Sequence, residues 1–194
     1  MKNFTISLML VLCICGSASA QQQVVSYPGY TAYWNPVTLI PDSVIWVITK
    51  DHLTGQKIPR ANRFHPEKWM PNLKRDYAGS HYDQGHNSPY DDNYWSKDAE
   101  YQCFSYVNMF PQLHVLNAQT WERLEDYSRK MALQYGSCYV KTYWQGIDKK
   151  IGPDSIAVPL WCVKTIKYNG ISETYKMPNR DTVVNHDFSF YKVK

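Results

Sequence analysis

His86 sits in Asp83-Gln84-Gly85-His86-Asn87-Ser88-Pro89, directly after a glycine and in a run rich in turn-forming residues. An unperturbed imidazole titrates near neutrality, so His86 can take a proton from water at working pH. Downstream come Asn108-Met109-Phe110-Pro111-Gln112, then Leu116-Asn117, then Trp121-Glu122-Arg123-Leu124-Glu125. An amide and a carboxylate can hold a hydrated cation, and a nearby histidine can act as a base. Together these are the parts of a metal-assisted phosphodiester hydrolase. Singly they say less. Asn117 could equally be a helix N-cap, and Asn108 a turn asparagine before Pro111. His52, His65, His81, His114 and His186 read as structural.

The elements that must position these residues follow from pattern. Residues 21–43 are rich in Gln, Pro, Tyr and Gly and read as an extended lead-in. Val44-Ile45-Trp46-Val47-Ile48-Thr49 is a β-branched, apolar strand. Residues 51–79 carry Gly55, Pro59, Pro66 and Pro71 and should form a long loop; loops this long in a compact domain tend to be functional. Residues 81–92 read as a strand or hairpin arm ending in a loop, and 101–107 as another strand. One strong helix is expected over about 117–135, with Trp121, Leu124, Met131 and Tyr135 at helical spacing and Gly136 as its stop. Strand-like stretches follow at 138–144, 155–168, 171–176 and 187–193, with Asn169-Gly170 as a hairpin signal. These describe one α+β domain, an antiparallel sheet with a central helix. Asn117 and Glu125, eight positions apart on a regular helix, would lie roughly 80° and roughly 12 Å apart. They would occupy neighbouring faces, and such a helix brings both onto one small ion only with strain.

The N-terminus reads as a secretory signal: Lys2, an apolar run from Phe4 to Cys15, and Ala18-Ser19-Ala20 before Gln21. The run is too short for a membrane span, and a secreted or periplasmic protein is expected. The formal net charge of +4 is mild and does not by itself announce nucleic-acid binding. Its distribution says more: Lys57, Arg60, Arg63, Lys68, Lys74 and Arg75 face Glu67 alone, just before the histidine motif. The bland reading of such a run is a solvated loop. Cys103, Cys138 and Cys162 permit one disulfide plus a free thiol, or three buried thiols. There is no Gly-x-Ser-x-Gly elbow and no phosphate-binding P-loop. Asp91, Asp92, Asp98 and Glu100 are no denser than the acids of any surface loop, which leaves a glycosidase pair unsupported.

In order and spacing, the 83–125 block resembles the DNA/RNA non-specific endonucleases, a family of ββα-metal nucleases. The resemblance spans about residues 44–193 and implies a nuclease domain over 44–194; Ile151-Gly152, Val158-Pro159 and Met177-Pro178-Asn179 match it more loosely. It implies that His86 is the general base, that Asn117 ligates one Mg²⁺ (with Mn²⁺ as the alternative), and that Glu125 holds the metal's waters. Asn108 would support metal-water or phosphate geometry. Arg60, six residues before Pro66, would contact the phosphate, with Arg63 as competitor. DNA and RNA are the implied substrates, cut with little sequence preference to leave 5′-phosphate. Two departures stand out. Gln84 replaces the family's arginine and so removes a cation near the scissile phosphate. The family usually also continues beyond Tyr191-Lys192-Val193, so a sheet face is expected to be less covered. Both departures keep open a second reading, a nuclease-fold protein that binds nucleic acid or another polyanion without cutting.

Overall fold

The computed structural model describes residues 21–180 and 185–194. Six strands form one antiparallel sheet: β1 (Gln23–Tyr27), β2 (Tyr30–Asn35), β3 (Ile40–Thr49), β6 (Ser137–Ile151), β7 (Ile156–Tyr168) and β8 (Ile171–Pro178), adjacent in that order. A separate ribbon pairs β4 (Tyr82–His86) with β5 (Met109–Leu113). The fold is α+β, as the pattern required. Residues 23–35 are not a lead-in outside the domain: they add two paired strands to the sheet edge. Tyr30, Ala32 and Trp34 alternate inward and are buried there.

Alternation also explains β3 and β6. Val44, Trp46 and Ile48 face the core from β3, and Cys138, Val140 and Thr142 from β6. Helix α4 (Glu122–Tyr135) lies against β3, β6 and β7. It buries Leu124, Ser128, Met131 and Ala132, which share one helical face. Gly136, at φ 91°, ends it in a conformation that glycine adopts without a Cβ penalty. Tyr135 differs from expectation: it is exposed and stacks on Tyr168 at the surface. Trp121 and Leu124 are core residues. Asn169 and Gly170, with φ 44° and 75°, form the two-residue turn between β7 and β8.

Two expected strands are absent. Residues 97–103 form helix α3, capped by Ser96, whose side chain accepts from Ala99 N at 3.0 Å; a 3₁₀ turn follows at Tyr106–Asn108. Its sequence signal was a Ser cap with Asp98 and Glu100 in the first turn, which outweighs the apparent alternation. Near the C-terminus, Phe188–Tyr191 is a 3₁₀ turn whose cap is Asp187. The expected long loop is largely present, broken only by the short helices α1 (Lys50–Thr54) and α2 (Lys74–Tyr77). All three described cysteines are free and buried, so the three-thiol alternative holds. The proposed signal segment, 1–20, lies outside the described residues. Among the described residues, no helix is long and apolar enough to cross a membrane.

The two sheets are joined by Asn179, which is buried. Its amide nitrogen donates to Pro111 O and Pro159 O at 2.8 and 3.1 Å, and its oxygen accepts from Leu113 N at 2.9 Å. One side chain thus fixes the ribbon against β7. At the other end, the β6–β7 turn packs on α2, where Asp154 N donates to Asp76 Oδ1 at 2.6 Å. Gly152 turns there with φ 69°, and an added Cβ would sit 2.3 Å from Asp76 Cα. Gly152→Ala should therefore destabilise the chain by about 2–4 kcal/mol, from a strained φ plus a backbone clash. Urea denaturation measures this; a loss under about 0.5 kcal/mol would show that the turn swings clear of α2.

Candidate active site

The ribbon brings Tyr82, Gln84 and His86 to one strand face, because alternate residues point the same way. Gly85 between them is a packing requirement: a Cβ there would meet Gln112 Oε1 at 1.9 Å. His86 is held by its main chain, whose carbonyl accepts from Trp121 Nε1 at 3.4 Å. The rings of Phe64 and Phe104 flank the imidazole at 5.5 and 5.2 Å. Its Nε2 is buried without a partner. Among the described residues Nδ1 has no hydrogen-bond partner, and His86 borders the cavity. Burial, with the Arg60 guanidinium adding to it, pushes the imidazole down to about 3. His86 is neutral through the physiological range.

Asn117 comes from the neighbouring element, which is not the regular helix expected. Residues Leu116–Trp121 form a π-helical turn that runs straight into α4. Asn117 is no N-cap. Its Nδ2 donates to Asp83 Oδ2 at 2.9 Å, which ties the π turn to the His86 strand. The π turn also resolves the problem of facing. An i→i+5 turn rotates by roughly 80° per residue instead of about 100°. Over the four steps from 117 to 121 this removes roughly 80°, so Asn117 and Glu125 come onto one face. Both line the same cavity, of about 210 Å³, with Asp91 and Glu122. A second cavity, of about 500 Å³, holds Gln84, Lys74 and Tyr77. His86, Asn117 and Arg60 border both.

Glu125 is buried and belongs to a charged cluster beneath the site. Lys164 Nζ is 3.2 Å from Glu125 Oε1 and 4.2 Å from the centre of the Trp121 ring. Arg129 pairs with Asp92 at 3.0 Å, and Trp46 Nε1 donates to Asp92 at 2.8 Å. Burial raises the Glu125 carboxyl to about 7 against the pull of Lys164 and Arg129. Its second carboxylate oxygen takes no hydrogen bond from a described residue. Asp92, Arg129 and Lys164 could not be singled out from sequence, because the ion pairs span 37 and 39 positions of chain and no local pattern marks them.

The basic loop contributes one arginine and not the other. Ile58 N donates to Tyr94 O, Ala61 N to Glu100 Oε1, and Tyr90 Oη to Ile58 O, all at 2.7 Å. This pins Arg60 over the rings of Tyr90 and Phe104, at 5.4 and 5.5 Å. Arg63 is exposed and borders neither cavity. Asn108 is corrected as well. It is fully buried, and its side chain accepts from Ser88 N and donates to Ser88 O and Cys103 O at 2.8–2.9 Å. It shapes the turn after His86 and does not reach the cavities. Gln84 lines the larger one, with its Oε1 buried and unpartnered.

The donor set fits a hard cation at Asn117. With its nitrogen given to Asp83, the amide presents Oδ1 as an oxygen ligand, and carboxylates line the same small cavity. Among the described residues, no three His, Cys, Asp or Glu side chains converge. A cation here would have one direct protein ligand and retain most of its water, which suits Mg²⁺.

The sequence model of the DNA/RNA non-specific endonuclease family matches residues 12–194. The mitochondrial nuclease EXOG of Xenopus laevis is 26% identical over 87% of this chain and 53% of its own length. Mitochondrial nuclease 1 of Schizosaccharomyces pombe is 30% identical over 71% of this chain and 49% of its own. Human mitochondrial endonuclease G is 28% identical over 81% and 60%. The chain thus spans about half the length of the curated relatives it matches. A chain of the EndoG/EndoGI inhibition complex superposes with a TM-score of 0.81 at 22% identity, over 91% of this chain and 82% of that one. Relatives named as mitochondrial overturn the expectation of a secreted or periplasmic protein.

Two outcomes follow. Asn108→Ala should cost roughly 2–4 kcal/mol, because it strands buried backbone groups of Ser88 and Cys103. Urea denaturation checks this, and full stability with lost activity would return Asn108 to the site. His86 binds its proton on unfolding, since its pKa is about 3 folded and near 6.5 otherwise. Its contribution to stability is complete above about pH 6.5 and is lost as pH falls toward 3, by up to about 1.4 kcal/mol per unit. Glu125, raised to about 7, acts oppositely as pH rises from 4.5. The comparison is therefore between the wild type and His86→Phe, from pH 4 to 8. Parallel stability curves for the two proteins would mean that His86 titrates in the folded chain as it does in the unfolded one, and that burial does not lower it.

Proposed function

Starting from the fact that this chain belongs to the DNA/RNA non-specific endonuclease family, we propose that it hydrolyses phosphodiester bonds of DNA and RNA with little sequence preference. One observation carries the reading: His86, Asn117 and Arg60 border two adjoining cavities. The domain is taken as residues 44–194 together with the edge strands that 23–35 supply.

Neutral His86, with its proton on Nε2, offers the Nδ1 lone pair to a water in the cavity. It takes the water's proton as the oxygen attacks phosphorus. Arg60, held by the pinned loop, offsets charge on the non-bridging oxygens. Asn117 Oδ1 would hold Mg²⁺ directly, or Mn²⁺ in its place, and Glu125 would hold its water. A divalent cation held by these residues would supply positive charge to offset charge developing in the reaction. As the new P–O bond forms, the P–O3′ bond breaks; the 3′ oxygen takes a proton from solvent to become a hydroxyl, and the other fragment keeps a 5′-phosphate. Contacts from Arg60 and Lys74 would go to phosphates, which carry no sequence information.

Gln84 favours the alternative of a polyanion-binding protein that does not cut, because it adds no charge beside the cavity. A single assay separates the two. Wild type should nick plasmid DNA and degrade RNA with Mg²⁺ and not with chelator. His86→Ala should lose at least about a hundredfold in rate while still binding DNA. Binding without any cleavage by wild type would select the alternative.

A further inference from the structure

Beside the larger cavity, and sharing Tyr82 with it, lies another of about 620 Å³. Ser80, His81, Lys149 and Arg180 line it, with Asp148 as its one carboxylate. Arg180 is exposed and makes no hydrogen bond or ion pair with a described residue. Lys149 Nζ lies 5.1 Å from the centre of the Tyr82 ring. His81, at the lip, holds φ 66°, a left-handed conformation unusual for any residue but glycine. The neighbouring turn is fixed by Ser80, whose Oγ donates to Tyr77 O and accepts from Tyr82 N. Tyr82 joins the two cavities, and charge is graded along them. Asp91, Glu122 and Glu125, with Arg129, line the cavity beyond Asn117; Arg60 and Lys74, with Asp83, line the central one; and Lys149 and Arg180, with Asp148, line the outer one.

We propose that this outer cavity is a second binding site for the nucleic-acid strand under cleavage, where Arg180 and Lys149 hold backbone phosphates and Tyr82 offers its ring to a base. The inference rests on the nuclease reading for the strand's identity, but it concerns binding and not chemistry. Tyr82 and His86 are four residues apart on β4, about 13 Å at ~3.3 Å per residue. A B-form strand carries one phosphate per ~3.4 Å of rise. The outer site therefore meets phosphates at most about four nucleotides from the bond at His86, because neighbouring phosphates of a strand lie farther apart than the axial rise. Aromatic stacking tolerates every base, so the site adds affinity without sequence preference.

The test compares wild type with Arg180→Ala on a fluorescent 12-nucleotide single strand and on a dinucleotide, whose one cleavable bond must sit at His86. Arg180→Ala should lower the ratio of kcat/KM on the 12-mer to that on the dinucleotide roughly tenfold at low salt, the size of one charge-assisted contact. Binding of the 12-mer with chelator present should show a salt slope smaller by about 0.7, one phosphate contact on a single strand. A ratio and a slope both equal to wild type would overturn the outer site. If wild type cleaves neither substrate but the slope still falls, the outer site stands and the hydrolase reading fails.

Discussion

A hydrogen bond from Asn117 Nδ2 to Asp83 Oδ2 joins a strand to a helix, and the site depends on that junction. Asp83 belongs to the strand that carries His86, and Asn117 to the turn that leads into α4. Without the bond, the asparagine amide could rotate and its oxygen would have no fixed direction. Asp83 also accepts His114 Nδ1 at 2.9 Å, so its carboxylate is held from a second side. Trp121 repeats the link one turn later, donating from its ring nitrogen to the His86 carbonyl. His86 and Asn117 are therefore positioned by the same two elements, joined at two points.

That junction needs support from beneath, and here the protein accepts a costly arrangement. Lys164, Glu125, Arg129 and Asp92 are ionisable groups packed between α4 and the sheet. Buried ion pairs are weak evidence of stability, since desolvation of each charge opposes their attraction. Their placement instead sets where the Glu125 carboxylate can point. One oxygen is committed to Lys164 of β7, and Arg129 ties α4 to Asp92 in the 90–92 turn, which Trp46 of β3 holds in turn. Asn179 does comparable work for the ribbon, with neutral hydrogen bonds in place of charges.

Some of this was legible in the chain. The apolar alternation of 44–49, the helical face of Leu124 and Met131, and the hairpin at Asn169-Gly170 are local patterns, and local patterns survive folding. His86, Arg60, Asn117 and Glu125 were legible as a set and meet at one place. The π turn was not, because apolar spacing from 116 to 125 fits an α-helix nearly as well as a π turn followed by one. Its consequence, that Asn117 and Glu125 share a face, was likewise hidden. The 97–103 helix was masked by alternation that looked strand-like, although Ser96 and two acids marked its start. The burial of Asn108 was hidden for a different reason: an asparagine that shapes a buried turn and one that lines a cavity have the same sequence neighbours. Only its burial distinguishes them.

The account stands or falls on water attacking phosphorus beside His86. Hydrolysis of a single-stranded oligonucleotide with Mg²⁺ in ¹⁸O-labelled water, followed by mass spectrometry of the fragments, tests this most directly. The account predicts one ¹⁸O atom in a new 5′-phosphate and an unlabelled 3′-hydroxyl on the other fragment. A labelled 3′-phosphate, or an oligonucleotide left intact, would contradict it.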